Sequence, residues 1–152
     1  MSERTQELKR LYQRYGTDSA ALLAEYPSME NLRVFSDRRE GLLEWYAFRK
    51  GASLLMAGSG CGALTGMLLR KGLKVTVLDP DAENLELERL RWDTPELDTV
   101  LGTITKTGIP GGCFPDIPAG TRFDYILFDG TLSRDGEAEI LAAKKLLKRT
   151  AS

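Results

Sequence analysis

The spacing of apolar residues changes character near position 50 of this chain. Before that point apolar side chains recur at steps of three and four, as at Leu8, Leu11 and Tyr12, which predicts an amphipathic helix that ends at Gly16. From Ser53 onward, short apolar runs alternate with helical segments. This alternation is typical of parallel strands joined by right-handed crossovers. The pattern therefore predicts an α/β domain that follows a helical cap.

The helical cap is predicted to occupy residues 1–50. After the first helix, a second short helix is expected over Asp18–Glu25, and Pro27 begins a connection. The run Ser36–Glu40 has the composition of a capped helix start, and this helix is expected to continue through apolar and aromatic residues to Phe48. The aromatic side chains of this last segment are expected mainly to anchor the cap to the sheet, and covering a ligand is the alternative.

The α/β domain, residues 51–152, is predicted to contain four strands. They are expected at Ser53–Ala57, Lys74–Leu78, Thr99–Ile104 and Phe123–Phe128. The predicted helices are Gly62–Lys71, a helix capped by Asp81 that runs towards Trp92, and Asp135–Arg149, whereas Gly108–Pro115 is expected to form a loop. Four strands make about half of a doubly wound sheet. The outer edge of the fourth strand is therefore expected to be covered by the N-terminal helices, by a second copy of the chain or by the remainder of a longer protein.

The composition is that of an ordinary globular domain, with 42% hydrophobic and 28% charged residues. The 21 basic residues are balanced by 22 acidic ones, which argues against non-specific nucleic-acid binding. No apolar stretch approaches the roughly 20 residues that span a bilayer, and no secretion-signal pattern is present, so a cytoplasmic protein without membrane contact is expected. The chain has no histidine and has 2 cysteines without metal-ligand spacing, which excludes a histidine base and predicts no metal site.

The strongest chemical signal is a glycine turn followed by an acid. Gly58 and Gly60 follow the first strand, and Asp79 ends the second. Glycines allow a sharp turn and a close approach of ligand to backbone, and a carboxylate at the end of the second strand can accept both ribose hydroxyls. The order strand, glycine turn, helix, strand and acid therefore predicts a site for a nucleoside-bearing cofactor. Glycines that serve only tight packing are the alternative.

Two glycine spacings overlap in this turn. Gly58, Gly60 and Ala63 satisfy the Gly-x-Gly-x-x-Ala spacing of dinucleotide sites, whereas Gly62 supplies a Gly-x-Gly-x-Gly spacing. The second spacing is favoured because a long segment precedes the first strand and can cap a cofactor. It is also favoured because Asp129 ends the fourth strand and brings a carboxylate to the same edge of the sheet. Asp129 is a candidate general base or cofactor contact, and a helix cap is the alternative.

With these motifs, the chain from about Leu32 to its end resembles the class I S-adenosylmethionine-dependent methyltransferases. The resemblance is carried by segments 42–48 and 52–66, which look like a bacterial subgroup associated with glycan or surface-polysaccharide genes. It implies a doubly wound, mostly parallel Rossmann-like sheet with strand order 3-2-1-4, truncated after the fourth strand. It also implies S-adenosylmethionine as cofactor, S-adenosylhomocysteine as product, and a small-molecule or glycan-related methyl acceptor.

The resemblance also implies a role for most residues of the site. The glycine turn, Gly58, Ser59, Gly60 and Gly62, would lie under the methionine part of the cofactor. Asp79 would bind the ribose hydroxyls, and Pro80 would line the adenine pocket. Thr103 stands where the family usually places an Asp or Asn that receives the adenine amino group. The contact of Asp129 with the cofactor is expected from its place at the end of the fourth strand and not from the resemblance, because the segment after it lacks the residues that amide-methylating members carry.

The departures from the family pattern keep two other functions open. Met56 stands where the family usually carries an acid, and methionine is a weak hydrogen-bond acceptor. The later strands, which bind much of the substrate in this family, are missing. A degenerate, non-catalytic binding or structural module is therefore the first alternative. A fragment of an NAD-dependent oxidoreductase is the second, through the spacing of Ala63.

Two further residues near the turn have both a structural and a chemical interpretation. Cys61 lies close to a helix start, a position that lowers the pKa of a thiol, but a small buried packing residue is the favoured interpretation. Asp81 is interpreted first as a helix cap and second as a ligand contact.

Overall fold

The computed structural model describes residues 1–104, 117–118, 120–129 and 136–149. Four strands lie within these residues: β1 (Ser53–Ala57), β2 (Lys74–Asp79), β3 (Leu97–Leu101) and β4 (Tyr125–Phe128). They form one sheet in the order β3-β2-β1-β4, and all three pairings are parallel. The predicted fold class and strand order are confirmed, and the carboxyl ends of the strands share one edge of the sheet.

The helices of the described residues surround this sheet. They are α1 (Glu3–Tyr15), α2 (Ser19–Glu25), α3 (Met29–Phe35), α4 (Thr65–Arg70), α5 (Ala82–Arg91) and α6 (Gly136–Lys144). Two short 3₁₀ helices, Asp37–Leu42 and Gly60–Gly62, complete the set. Gly16 ends α1 and the Asp81 side chain caps α5 by accepting from the Glu83 N–H, as the sequence predicts.

Strand β1 is apolar along its whole length because both of its faces are covered. Leu54 and Met56 point into a core with α4 and α5, whereas Leu55 and Ala57 point into a second core with α6. Successive side chains of a strand point to opposite faces, so a strand buried on both sides has no polar alternation. Strand β1 is thus a central, fully covered strand of the sheet, and the glycine turn directly follows it.

The cap helices pack on α5 and on the glycine turn through a third apolar cluster. Leu8, Leu22 and Phe35 of the cap contact Leu87 of α5 and Cys61 of the turn in this cluster. The cap therefore lies beside the carboxyl edge of the sheet. In the described part of the chain, it is the segment after α6 that pairs beside the outer edge of β4, through Leu147.

Two predictions for the cap are wrong. A helix, α3, follows Pro27 where a connection is expected, because the Ser28 hydroxyl accepts from the Asn31 N–H and caps it. The helix expected to reach Phe48 is only a 3₁₀ helix that ends at Leu42. Beyond it, side-chain donors take backbone carbonyls that a helix would use: the Trp45 indole donates to the Leu42 carbonyl, and the Lys71 ammonium donates to those of Glu44 and Tyr46.

The third strand and the last helix differ from their predicted bounds. Strand β3 lies two residues earlier than Thr99, and it ends where the Gly102 N–H donates to the Asp79 carbonyl. Helix α6 ends at Lys144 rather than Arg149. After it, Leu147 forms a parallel bridge with Phe123, so the chain itself begins to pair with the outer edge of β4.

Three further predictions from the sequence concern membrane-spanning helices, metal sites and a loop. Among the described residues, no helix has the length and apolar character needed to cross a membrane. The same part of the chain contains no cluster of acidic or cysteine side chains suited to hold a metal ion. The loop predicted at Gly108–Pro115 lies outside the described residues.

Candidate functional site

A cavity of about 790 Å³ opens at the carboxyl edge of the sheet, between the glycine turn and the cap. Gly58, Ser59 and Gly60 line it from β1, Asp79 from β2 and Asp129 from β4. The chain leaves β1 towards β2 on one side, and β4 lies on the other, so this is the point where strand order reverses. Ligands of open α/β sheets bind at this point.

The backbone of the glycine turn adopts conformations that favour glycine, and at Gly60 it leaves no room for a side chain. Gly58 and Gly60 have φ angles of 96° and 53°, which glycine adopts without strain. Cys61 follows with φ 53°, a left-handed conformation that is uncommon for a residue with a side chain. A Cβ at Gly60 would lie 2.3 Å from Oδ2 of Asp129, so only glycine lets the turn and the β4 carboxylate share this corner of the cavity.

Asp79 lies in the cavity wall with its carboxylate held by the backbone. Oδ2 accepts from the Ser59 N–H at 3.0 Å, and Oδ1 accepts from the Asp81 N–H at 2.8 Å. The Asn84 amide also donates to Oδ1, at 3.3 Å. The same amide also lies 3.5 Å from Oδ2. Asp79 is therefore oriented by its own chain, and the long contacts that it shares with the Asn84 amide are the ones weak enough for a ligand hydroxyl to replace.

Asp129 is buried at the end of β4 and forms an ion pair with Arg39 of the cap. Oδ1 accepts from Nη2 of Arg39, and the Asp129 side chain is 4% exposed. Oδ2 of Asp129 and Nη1 of Arg39 are both buried without a hydrogen-bond partner among the described residues. One unsatisfied acceptor and one unsatisfied donor therefore stand side by side over Gly60.

Three predicted site residues do not line this cavity. Gly62 is covered by Trp92, whose indole donates to the Gly62 carbonyl at 2.9 Å. Pro80 is exposed beyond the end of β2, and Thr103 follows the end of β3. Gly62 is needed for packing here, because a Cβ would lie 2.8 Å from Nε1 of Trp92.

Cys61 and Asp81 are the two residues near the turn with both a structural and a chemical interpretation, and Asp81 caps α5 outside the cavity lining. Cys61 is buried, and burial raises the pKa of its thiol, although Arg4 opposes this effect. The raised pKa argues against an activated thiol and agrees with the favoured interpretation, a buried packing residue. Met56 is fully buried in the core beneath α4, away from the cavity lining.

The aromatic segment of the cap also lies away from the cavity. Tyr46 and Phe48 pack against Tyr125 at the start of β4, which is the opposite edge of the sheet from Asp129. Trp45 is 76% exposed, so it neither anchors the cap nor covers the cavity.

Sequence reasoning missed Arg39 and Asn84. Arg39 belongs to a charged run whose sequence indicates only a helix start, and its partner lies 90 positions later in the chain. Asn84 lies in the first turn of α5, where its amide reaches back to Asp79. The only local signal for Asn84 is its distance of five residues from Asp79, which places both at the same helix entry.

No family model and no curated protein matches the chain. Solved structures do. A TehB-like S-adenosylmethionine-dependent methyltransferase from Corynebacterium glutamicum is 24% identical, with a TM-score of 0.55, over 93% of this chain and 67% of that chain. A Haloferax volcanii structure, the complex of the Trm112 methyltransferase activator with a candidate methyltransferase, gives 16% identity and a TM-score of 0.58, over 93% of this chain and 56% of that chain.

A third similar structure was solved with the cofactor. The glycopeptide N-methyltransferase MtfA complexed with S-adenosylmethionine is 21% identical, with a TM-score of 0.51, over 72% of this chain and 48% of that chain. The chain thus has the Rossmann-like fold of S-adenosylmethionine-dependent methyltransferases. It spans about half to two thirds of the length of these three neighbours.

Proposed function

We propose that this chain binds S-adenosylmethionine in the cavity at the carboxyl edge of its sheet and is the cofactor-binding portion of a methyltransferase. The observation that carries the proposal is the position of Asp79. Its buried carboxylate lines a cavity at the β1/β4 switch point and is oriented by the N–H groups of Ser59 and Asp81. A carboxylate in this place is suited to accept the two hydroxyls of a ribose.

The unsatisfied atoms over Gly60 support the same ligand. The amino-acid end of S-adenosylmethionine carries an ammonium and a carboxylate, and Oδ2 of Asp129 and Nη1 of Arg39 lack partners of those two kinds. Leaving such groups buried without a partner costs about 1–3 kcal/mol each. Asp79 would therefore hold the ribose, and Arg39 with Asp129 would hold the amino-acid end.

In this proposal the residues of the chain act by position. The bound cofactor supplies a methyl group on a sulfonium, which is transferred by in-line displacement. Orientation of the two reactants supplies a large share of such catalysis, so the absence of histidine is compatible with it. The ion pair with Arg39 favours a binding role for Asp129 over that of a general base, and Pro80 and Thr103 remain predicted contacts of the adenine.

A non-catalytic module is the second candidate, and Met56 favours it. The family position that usually carries an acid is here a methionine with no exposed surface, packed in the core. The fold and the cavity would serve such a module equally well. Binding of the cofactor without transfer to any acceptor would distinguish it from an enzyme.

The expectations on location and acceptor belong to the same proposal. The buried Cys61 thiol is free, which is typical of a reducing compartment and supports a cytoplasmic location. A small-molecule or glycan-related acceptor is proposed from the resemblance to the family.

Calorimetric titration tests the proposal. We expect heat of binding with S-adenosylmethionine and with S-adenosylhomocysteine, and none with NAD. Binding of NAD alone would replace the proposal with a dinucleotide site. No heat with any of the three would contradict the proposed cofactor site and favour a structural module.

A further inference from the structure

The cavity has more positive than negative groups in its lining, and all of its arginines come from the cap. These are Arg4, Arg33, Arg38 and Arg39, and they face three carboxylates, Glu30, Asp79 and Asp129. Each carboxylate already has a partner within the chain. Glu30 pairs with Arg4, Asp129 pairs with Arg39, and Asp79 accepts from backbone N–H groups.

Arg33 and Arg38 are the two cations left over. Neither guanidinium has an ion pair or a hydrogen bond with any residue that the structure describes. Arg33 lies in the last turn of α3, and Arg38 lies in the 3₁₀ helix that follows. Ser36 between them accepts from the Arg38 N–H, which fixes the turn that brings both arginines to the cavity.

Apolar side chains lie beside these two arginines. Met29 and Leu32 of α3 line the same cavity and are 81% and 40% exposed. Exposed apolar residues next to unpaired cations at the mouth of a concave site are suited to a ligand with an apolar body and an anionic group. The floor of the cavity, with Asp79 and the Arg39–Asp129 pair, is the part assigned above to the cofactor.

We propose that the methyl acceptor carries a carboxylate or a phosphate, and that Arg33 and Arg38 bind this group at the mouth of the cavity. The proposal rests on the proposed function, since it places an acceptor beside a cofactor. The planar guanidinium donates two parallel hydrogen bonds to either anion. Because both guanidinium groups lie at the mouth of the cavity, they would hold the anionic end of the acceptor there. The reacting end of the acceptor would then point towards the glycine turn.

The test uses three small probes that share an aromatic ring: phenyl phosphate, benzoate and benzyl alcohol. Each is titrated into the full chain, both free and saturated with S-adenosylhomocysteine. We expect the anions to bind at least tenfold more tightly than the alcohol, and their binding to weaken as sodium chloride is raised. The two anions together show whether the site favours phosphate or carboxylate.

Variants assign the binding to the two arginines. The double variant Arg33→Gln/Arg38→Gln should bind the preferred anion at least tenfold more weakly. Arg10→Gln is the matched control, because Arg10 is an exposed arginine of α1 outside the cavity lining, and it should bind as the native chain does. Equal binding of the alcohol, or an unchanged affinity in the double variant, would overturn the proposal.

The titrations separate this proposal from the one it rests on. If the native chain binds the anions through Arg33 and Arg38 but does not bind S-adenosylhomocysteine, the anion site stands and the cofactor assignment fails. If S-adenosylhomocysteine binds equally to the native chain and to the double variant while the anions do not bind, the cofactor assignment stands and the anion site fails.

Discussion

The guanidinium of Arg39, in the N-terminal cap, is paired with the carboxylate of Asp129, 90 residues later at the end of β4. This pair closes one side of the cavity, and each partner keeps one buried polar atom without a hydrogen bond among the described residues. The cap and the sheet thus meet at an ion pair that leaves one donor and one acceptor without a partner. In the proposed function these two atoms bind the amino-acid end of the cofactor.

Removing both charges of this pair should weaken binding of the amino-acid end of the cofactor alone. The double variant Arg39→Gln/Asp129→Asn keeps a polar side chain at each position and leaves no lone buried charge, which would cost about 3–5 kcal/mol. We expect at least a tenfold loss of affinity for S-adenosylhomocysteine, about 1.4 kcal/mol or more. Affinity for 5′-methylthioadenosine, which lacks the amino-acid end, should not change, and calorimetry measures both.

The control for this pair is Arg10→Gln, which removes a positive charge outside the cavity lining. It should leave both affinities as they are. A double variant that folds and loses affinity for both ligands equally would show that the pair shapes the cavity without contacting the amino-acid end.

Asp79→Asn should abolish discrimination between ribose and a sugar without its hydroxyls. The native chain is expected to bind adenosine more tightly than 2′,3′-dideoxyadenosine by about 1.5–3 kcal/mol, the range for hydrogen bonds to a charged group. In the variant this difference should largely disappear, because the acceptor has lost its charge. Asp98→Asn, an exposed position on β3, is the control. An unchanged preference in a folded variant would remove Asp79 from the ribose site.

Gly66 of α4 packs closely against the indole of Trp92, as Gly62 does. A Cβ at Gly66 would lie 2.4 Å from Cη2 of Trp92. Gly66→Ala should therefore lower the free energy of unfolding by about 1–3 kcal/mol, the usual cost of overpacking. Gly41→Ala is the control, since a Cβ there meets nothing within 4 Å. Urea unfolding measures both variants.

A double-mutant cycle identifies Trp92 as the cause. In a Trp92→Leu background the added methyl group of Gly66→Ala has room, so its cost should fall by at least half. If Gly66→Ala is as stable as Gly41→Ala, the indole does not hold the position described here.

The strand pattern predicted the sheet well because its signal is local. Strand β1 was predicted with its observed bounds, since a run buried on both faces needs no partner to be recognised. The bounds of β3 were not, because its apolar residues, Leu97, Val100 and Leu101, do not form a continuous buried run and its register is set by β2. The helix expected up to Phe48 failed for a similar reason, because Lys71 competes for its carbonyls from another part of the chain.

Only those residues of the candidate site that lie at the ends of strands could be predicted from the sequence. Gly58, Gly60, Asp79 and Asp129 each follow or end a strand, so topology alone brings them together. Arg39 comes from the cap, whose docking depends on the contacts of Leu8 and Phe35 with α5 and the turn, and nothing near Arg39 in sequence signals its partner. The distinction between a glycine that faces ligand and one that faces Trp92 also needs coordinates.

Glu88 should make the stability of the fold fall as pH rises towards neutrality. Its side chain on α5 has no exposed surface, and neither carboxyl oxygen has a hydrogen-bond partner among the described residues. Burial raises the pKa of Glu88 from 4.5 to about 7, with Asp79 and Asp129 adding to the effect, while Thr65 and Arg91 oppose it. Between these two values the folded chain binds more protons than the unfolded chain, so the free energy of unfolding decreases with pH.

The size of this effect can be isolated with Glu88→Gln, which resembles the protonated side chain. At pH 8 the variant should exceed the native chain in unfolding free energy by up to about 3 kcal/mol, and the two should converge near pH 4.5. Glu7→Gln, at an exposed position of α1, should follow the native chain throughout. Urea unfolding at steps between pH 4 and pH 8 gives the curves. Parallel curves for the native chain and Glu88→Gln would mean that Glu88 ionises in the folded state as easily as in water, and hence that the space behind the glycine turn is hydrated rather than closed.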